Sequence, residues 1–137
     1  MKLKYAVILL MIFSYIGCAK EEVQHQEKTG ISHTIEQIKN MEIAHIESET
    51  LSEGDYIGEF PFTERFLYKV KVTIKSGMIA DIEVLENGTE NEYAKKGLAV
   101  IPRMLQKQSP KVDVVSGATV TSKALMKCVE KALRKAE

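Results

Sequence analysis

From Tyr68 to Lys75 the chain alternates strictly, with Tyr68, Val70, Val72 and Ile74 on one side of a period of two and Lys69, Lys71, Thr73 and Lys75 on the other. That pattern specifies a strand with one face buried and one in water. Ser76-Gly77 follows as a compact hairpin turn. The return strand is expected to place Ala80, Ile82 and Val84 inward and Asp81 and Glu83 outward, so that acids lie opposite lysines across an antiparallel pair. Near the end of the chain, Leu125, Cys128, Val129, Ala132 and Leu133 recur at i, i+3, i+4, i+7 and i+8, the apolar stripe of an amphipathic helix over 122–136. The expected fold class is therefore α+β: a small antiparallel sheet with packed helices.

Other segments fill in around these two. Glu53-Gly54-Asp55-Tyr56-Ile57-Gly58-Glu59 reads as the start of a strand, its paired glycines marking a turn and a close backbone approach. Ile35 and Ile38 stand at helical spacing, and Met41, Ile43 and His45 then alternate as a short strand would. Asn87-Gly88-Thr89 closes the return strand; it also spells a glycosylation acceptor, but a turn is the better reading. Between Asn91 and Ser109 a helical stretch is expected, with Pro102 at its start, Met104 and Leu105 packing inward, and Pro110 ending it.

The 137 residues, 45% hydrophobic and 28% charged, are enough for one modest core. Basic and acidic side chains number 19 each, with no basic stripe, so there is no electrostatic footprint for nucleic acid. Lys2 and Lys4 precede an apolar run from Tyr5 to Ala19 that is shorter than the roughly 20 residues needed to span a bilayer and reads as an export signal. It ends Tyr15-Ile16-Gly17-Cys18, which resembles the lipobox of bacterial lipoproteins, with Tyr15 where an aliphatic residue is usual. The resemblance implies a signal peptide over 1–17, a lipid on Cys18, and an anchor and tether over 18–45 leading to a domain over 46–137. The composition of 19–30, charged and nearly free of aliphatics, suits a flexible tether. Loss of 1–17 removes Lys2 and Lys4 and leaves 17 basic side chains against 19 acidic ones. With Cys18 assigned to the anchor, Cys128 reads as a small core residue and not a disulfide partner. His25, His33 and His45 are spaced by eight and twelve residues, which fits no metal site.

The chemistry is expected at Asp113-Val114-Val115-Ser116-Gly117-Ala118-Thr119, a turn of small and hydroxyl residues running into a helix that starts near Thr121 or Ser122. Gly117 and Ala118 leave Thr119 uncovered, and the N–H groups at a helix start favour a phosphate. The same residues also suit an ordinary helix cap. The pattern Asp-x-x-Ser-Gly-Ala-Thr resembles the covalent flavinylation signature of the FMN-binding domain family, found in flavin-carrying subunits of the sodium-translocating NADH:quinone oxidoreductase and the Rnf complex. The strand start at Glu53–Glu59 resembles that family's opening element, with Glu53 where Asp is common, and the likeness covers roughly residues 50–137.

In that family the Thr after Gly-Ala carries FMN through a phosphoester bond, which implies Thr119 here. Ser116, Gly117, Ala118, Thr121 and Ser122 are then its cofactor-binding neighbours, with Lys123 as a possible countercharge and Tyr56 or Tyr68 against the ring. A threonine hydroxyl needs a base to attack. The nearest ionisable side chains in sequence are Asp113 and Lys123, and no histidine follows His45. Thr119 is therefore an acceptor, and the resemblance implies a separate magnesium-dependent flavin transferase that takes FMN from FAD. The expected protein is a lipid-anchored electron carrier on the outer face of a bacterial cell membrane, exchanging electrons with a membrane electron-transfer complex or an extracytoplasmic redox partner. Two alternatives stay open: a lipoprotein binding module without covalent flavin, and an FMN-dependent reductase acting on a small acceptor.

Overall fold

The computed structural model describes residues 34–88 and 90–137. The segment expected to be a signal peptide, Cys18, His25, His33 and most of the expected tether lie outside the described residues. In chain order the elements are helix α1 (Ile35–Lys39), a short 3-10 turn (Ser48–Thr50), strands β1 (Gly54–Pro61), β2 (Leu67–Lys75) and β3 (Met78–Asn87), and helices α2 (Glu92–Gly97), α3 (Val100–Lys107) and α4 (Thr119–Arg134). The sheet is antiparallel in the order β1-β2-β3, so the α+β architecture is as expected.

The central strand β2 puts Tyr68, Val70, Val72 and Ile74 against α4, each no more than 2% exposed. From α4, Leu125, Cys128, Val129, Ala132 and Leu133 meet them with no exposure at all. The hairpin turn has Ser76 and Gly77 both at positive φ, 52° and 71°, the twist a two-residue hairpin needs. Burial pushes the Cys128 thiol up to about 12, and its Sγ–H donates to the Tyr68 carbonyl at 3.3 Å. Closest contact between sheet and helix comes at Gly58, where a Cβ would lie 1.8 Å from the Cys128 carbonyl oxygen. Only glycine lets the two main chains approach this far.

Five sequence expectations are corrected. Ala80 is exposed, and Ile79 is buried in its place. The pairing steps from Thr73↔Asp81 to Ile74↔Ile79, leaving Ala80 as the extra residue of a bulge, and a second step from Lys69↔Glu86 to Val70↔Val84 leaves Leu85 over. Between the bulges the expected alternation holds: Glu83 faces and bonds Lys71, whereas Asp81 faces Thr73. Residues 41–45 form no strand and have no regular secondary structure, with Ile43 and Ile46 buried. The single helix expected between 91 and 109 is two, α2 and α3, with Pro102 in the first turn of α3, Met104 buried and Leu105 packed on the core. The stop comes at Gln108, left-handed at φ 52°, rather than at Pro110. Finally, the last helix starts at Thr119.

The folded body begins ahead of residue 46. A reciprocal cap starts α1, with the Gln37 N–H donating to Thr34 Oγ1 at 3.2 Å and the Thr34 N–H to Gln37 Oε1 at 2.9 Å, and Ile38 is 1% exposed. The segment after α1 is tied to α4 by Glu130, a buried carboxylate that accepts from the Ala44 N–H at 3.1 Å, from Lys127 and from Arg134. Burial alone would raise its pKa; those three donors overcome that and hold it below the ordinary value.

Candidate functional site

The segment before α4 is braced from three sides. The Arg103 Nη1 group donates to the carbonyls of Asp113 and Val114 at 3.0 and 3.1 Å. An Ala118 N–H to Val115 carbonyl bond of 2.9 Å closes the turn Val115–Ala118, in which Gly117 takes φ +78° as a type II turn requires at its third position. Ser122 Oγ then accepts from the Val115 N–H at 3.0 Å and donates to the Ala118 carbonyl at 2.7 Å.

The Ser122 hydroxyl is thus spent on the turn. Thr121 is buried too, its Oγ1 3.5 Å from the Tyr68 hydroxyl. Ser116 and Gly117 are exposed and Thr119 is half-buried at the helix start. Asp113 is exposed, and its backbone carbonyl is what holds the turn. Lys123 turns elsewhere: its Nζ donates to the Met41 carbonyl at 2.9 Å.

Helix α4 begins without a side-chain cap, its N-cap position being Ala118. Among the described residues the N–H groups of Thr119, Val120 and Thr121 have no acceptor. Three convergent donors at the positive end of a 16-residue helix make a seat for an anion. Beside them opens a cleft of about 310 Å³ to which Gly117, Ala118, Val120 and Thr121 contribute one side. Aromatic rings provide half of the remaining lining residues: Phe62, Tyr68 and Tyr93. Phe62 and Tyr68 pack edge to face, with centroids 6.2 Å apart at 66°. The cleft is of the size and apolar character that takes a flat organic ring. Tyr56 is not part of it; its hydroxyl donates to the Ser52 carbonyl at 3.1 Å.

Residues 68–134 match the family model of the FMN-binding domain. The chain carries an FMN-binding domain. Tyr68, the braced turn and Thr119 all fall within the matched segment, while Phe62 and α1 precede it. The domain's donor set fits FMN: free main-chain N–H groups for a phosphate, and an aromatic cleft beside them for the ring. Among solved structures, the CPE2226 protein from Clostridium perfringens is similar, at 24% identity, with 63% of this chain and 88% of that chain covered and a TM-score of 0.51. That likeness concerns the fold. No curated protein matches the chain.

Ile35, Lys39, Phe62, Asn91 and Tyr93 also line the cleft and were not singled out by sequence reasoning as site residues. Tyr93 is 63% and Ile35 55% exposed. Tyr93, a lone ring among the charged residues of α2, was the available signal.

Proposed function

We propose that the domain carries FMN joined through its phosphate to Thr119 Oγ, and that it works as an electron carrier tethered to the outer face of a bacterial cell membrane. The observation that carries the reading is the uncapped start of α4: three free N–H donors stand beside an aromatic cleft lined by the residues on either side of Thr119. Bound FMN would supply one- and two-electron redox chemistry.

The chain's own residues account for the attachment and for its limits. Ser122 and Arg103 fix the turn, so that Thr119 is presented in one position instead of sampling many. The N–H groups of Thr119 to Thr121 stabilise the remaining negative charge of a phosphodiester. Tyr68, Phe62 and Tyr93 line the cleft and would shield a bound flavin ring from water. No carboxylate or imidazole lines the cleft among the described residues, so the chain supplies no base to deprotonate Thr119. A separate magnesium-dependent flavin transferase fills that role: the Thr119 Oγ–P bond forms, the pyrophosphate of FAD breaks, AMP leaves, and the hydroxyl proton passes to the transferase.

Cys18 as a lipid anchor and residues 19–30 as a reach toward a membrane complex or an extracytoplasmic redox partner complete the proposal. A covalent link suits such a place, where a dissociated cofactor is lost by dilution.

The test is coexpression with a flavin transferase. Denatured protein should keep flavin fluorescence and gain the mass of FMN less water, and Thr119→Ala should lose both. Flavin released on denaturation, or an unmodified chain beside an active transferase, overturns the covalent reading. Turnover of a soluble acceptor without any partner protein would instead favour a reductase.

A further inference from the structure

We infer that helix α1, which precedes the segment matched to the FMN-binding domain, is a working part of the cofactor site: Ile35 walls the flavin ring and Lys39 stabilises its reduced, anionic form. This rests on the flavin reading of the cleft.

Ile35 and Lys39 are four residues apart on a helix and so share a face, and both line the aromatic cleft. The opposite side of the same helix is anchored by Ile38, and its start is fixed by the Thr34–Gln37 cap. Helices α1 and α2 each pack on α4, and each sends one exposed apolar side chain, Ile35 and Tyr93, to the one cleft. Only five large apolar residues are exposed among the described residues, so two of them on a single cavity points to something apolar that covers both.

Lys39 is the one side chain with a formal charge among those lining the cleft. It has no ion-pair or hydrogen-bond partner among the described residues, in contrast to Lys123, Lys127, Lys131 and Lys135, each of which is engaged. A lone cation beside an apolar cavity does little for a neutral oxidised ring. When the ring takes up two electrons and one proton it carries one net negative charge, and a nearby ammonium then lowers the energy of that state alone. The phosphate end is served independently by the N–H groups of Thr119 to Thr121, which leaves Lys39 for the ring.

The experiment uses full-length protein flavinylated by coexpression, titrated with dithionite as the electron source at mildly alkaline pH. Lys39→Gln should shift the ratio of reduced to oxidised flavin about fivefold toward oxidised at a given potential, a fall of about 20 mV for a two-electron couple. Lys39→Glu should fall further and Lys39→Arg should hold the native value. Ile35→Ser should leave attachment intact and increase quenching of the flavin fluorescence by iodide. A flavinylated Lys39→Gln protein with an unchanged potential overturns the inference. So does a Lys39→Gln protein that fails to be flavinylated while folding normally, because the charge would then serve the phosphate or the transferase. Absence of covalent flavin on the native chain, read by mass, sinks the parent reading instead and is seen before any potential is measured.

Discussion

Adding one methyl group at Gly58 should destabilise the protein more than any change in the turn before α4. A Cβ on this residue would stand 1.8 Å from the Cys128 carbonyl oxygen, 2.7 Å from the Cys128 carbonyl carbon and 3.0 Å from the Ala132 nitrogen. All three are main-chain atoms of α4, so no side chain can swing aside. To reach even a tight 3.0 Å contact, β1 and α4 must separate by about 1.2 Å at that point, and a radial gap of about 1 Å forfeits up to about half of the dispersion energy of the atoms it parts. Overpacking a close-packed site costs about 1–3 kcal/mol, and a rigid main-chain neighbour puts Gly58→Ala at the upper end. Alanine also narrows the unfolded ensemble, which returns about 0.4–1 kcal/mol. The net is a loss of about 2–2.5 kcal/mol, or roughly 10 °C in Tm for a domain of this size.

Gly117→Ala makes the comparison informative. Its φ of +78° disfavours a side chain, but a Cβ there meets no atom within 4 Å, so it should cost only about 1–2 kcal/mol. Melting curves for the two variants and the native protein, followed by far-ultraviolet circular dichroism, decide the matter. If Gly58→Ala melts within a few degrees of native, or less far below it than Gly117→Ala does, the close crossing of β1 over α4 is wrong.

Glu130→Gln should cost about 2–3 kcal/mol at neutral pH through its charge-assisted bond to the Ala44 N–H and its pairing with Lys127, with little from the exposed Arg134. Because the folded-state pKa of Glu130 is lowered, its contribution is present above the unfolded value of about 4.5 and fades as pH falls through the folded one; urea titrations between neutral and acid pH should show native and variant converging only as pH falls below that unfolded value. Ser122→Ala leaves the Val115 N–H without its acceptor and should lose about 1–2 kcal/mol, with faster hydrogen exchange confined to Val115 and its neighbours; unchanged exchange there would mean the hydroxyl does not hold the turn. With its thiol pushed up to about 12 and fully buried, Cys128 should resist a disulfide-exchange reagent in the native state and react at once in denaturant.

The parts legible in the sequence were those fixed by one local rule. Period-two alternation in β2 and the apolar stripe of α4 each need a single partner surface, and both appear as read. What the sequence hid depends on pairs of distant segments. The bulges at Ala80 and Leu85 arise where β3 must slip against β2, and nothing within β3 itself breaks the pattern enough to announce them. Helix α1 sits in a polar, tether-like context, and its worth comes from Ile38 packing on α4 and from the cleft that Ile35 and Lys39 help to close. The start of α4 misled for a related reason. Thr121 and Ser122 look like caps because hydroxyls favour that position, yet Ser122 lies inside the first turn and reaches back to Val115 and Ala118. The consequence is functional: because the hydroxyls that might have capped the helix are buried or spent on the turn, and an alanine takes the N-cap place, the helix keeps its first N–H groups free. A sequence optimised only for helix stability would place Ser, Asp or Asn at residue 118. The alanine there sacrifices about 1 kcal/mol of capping, which the phosphate proposed beside Thr119 would recover.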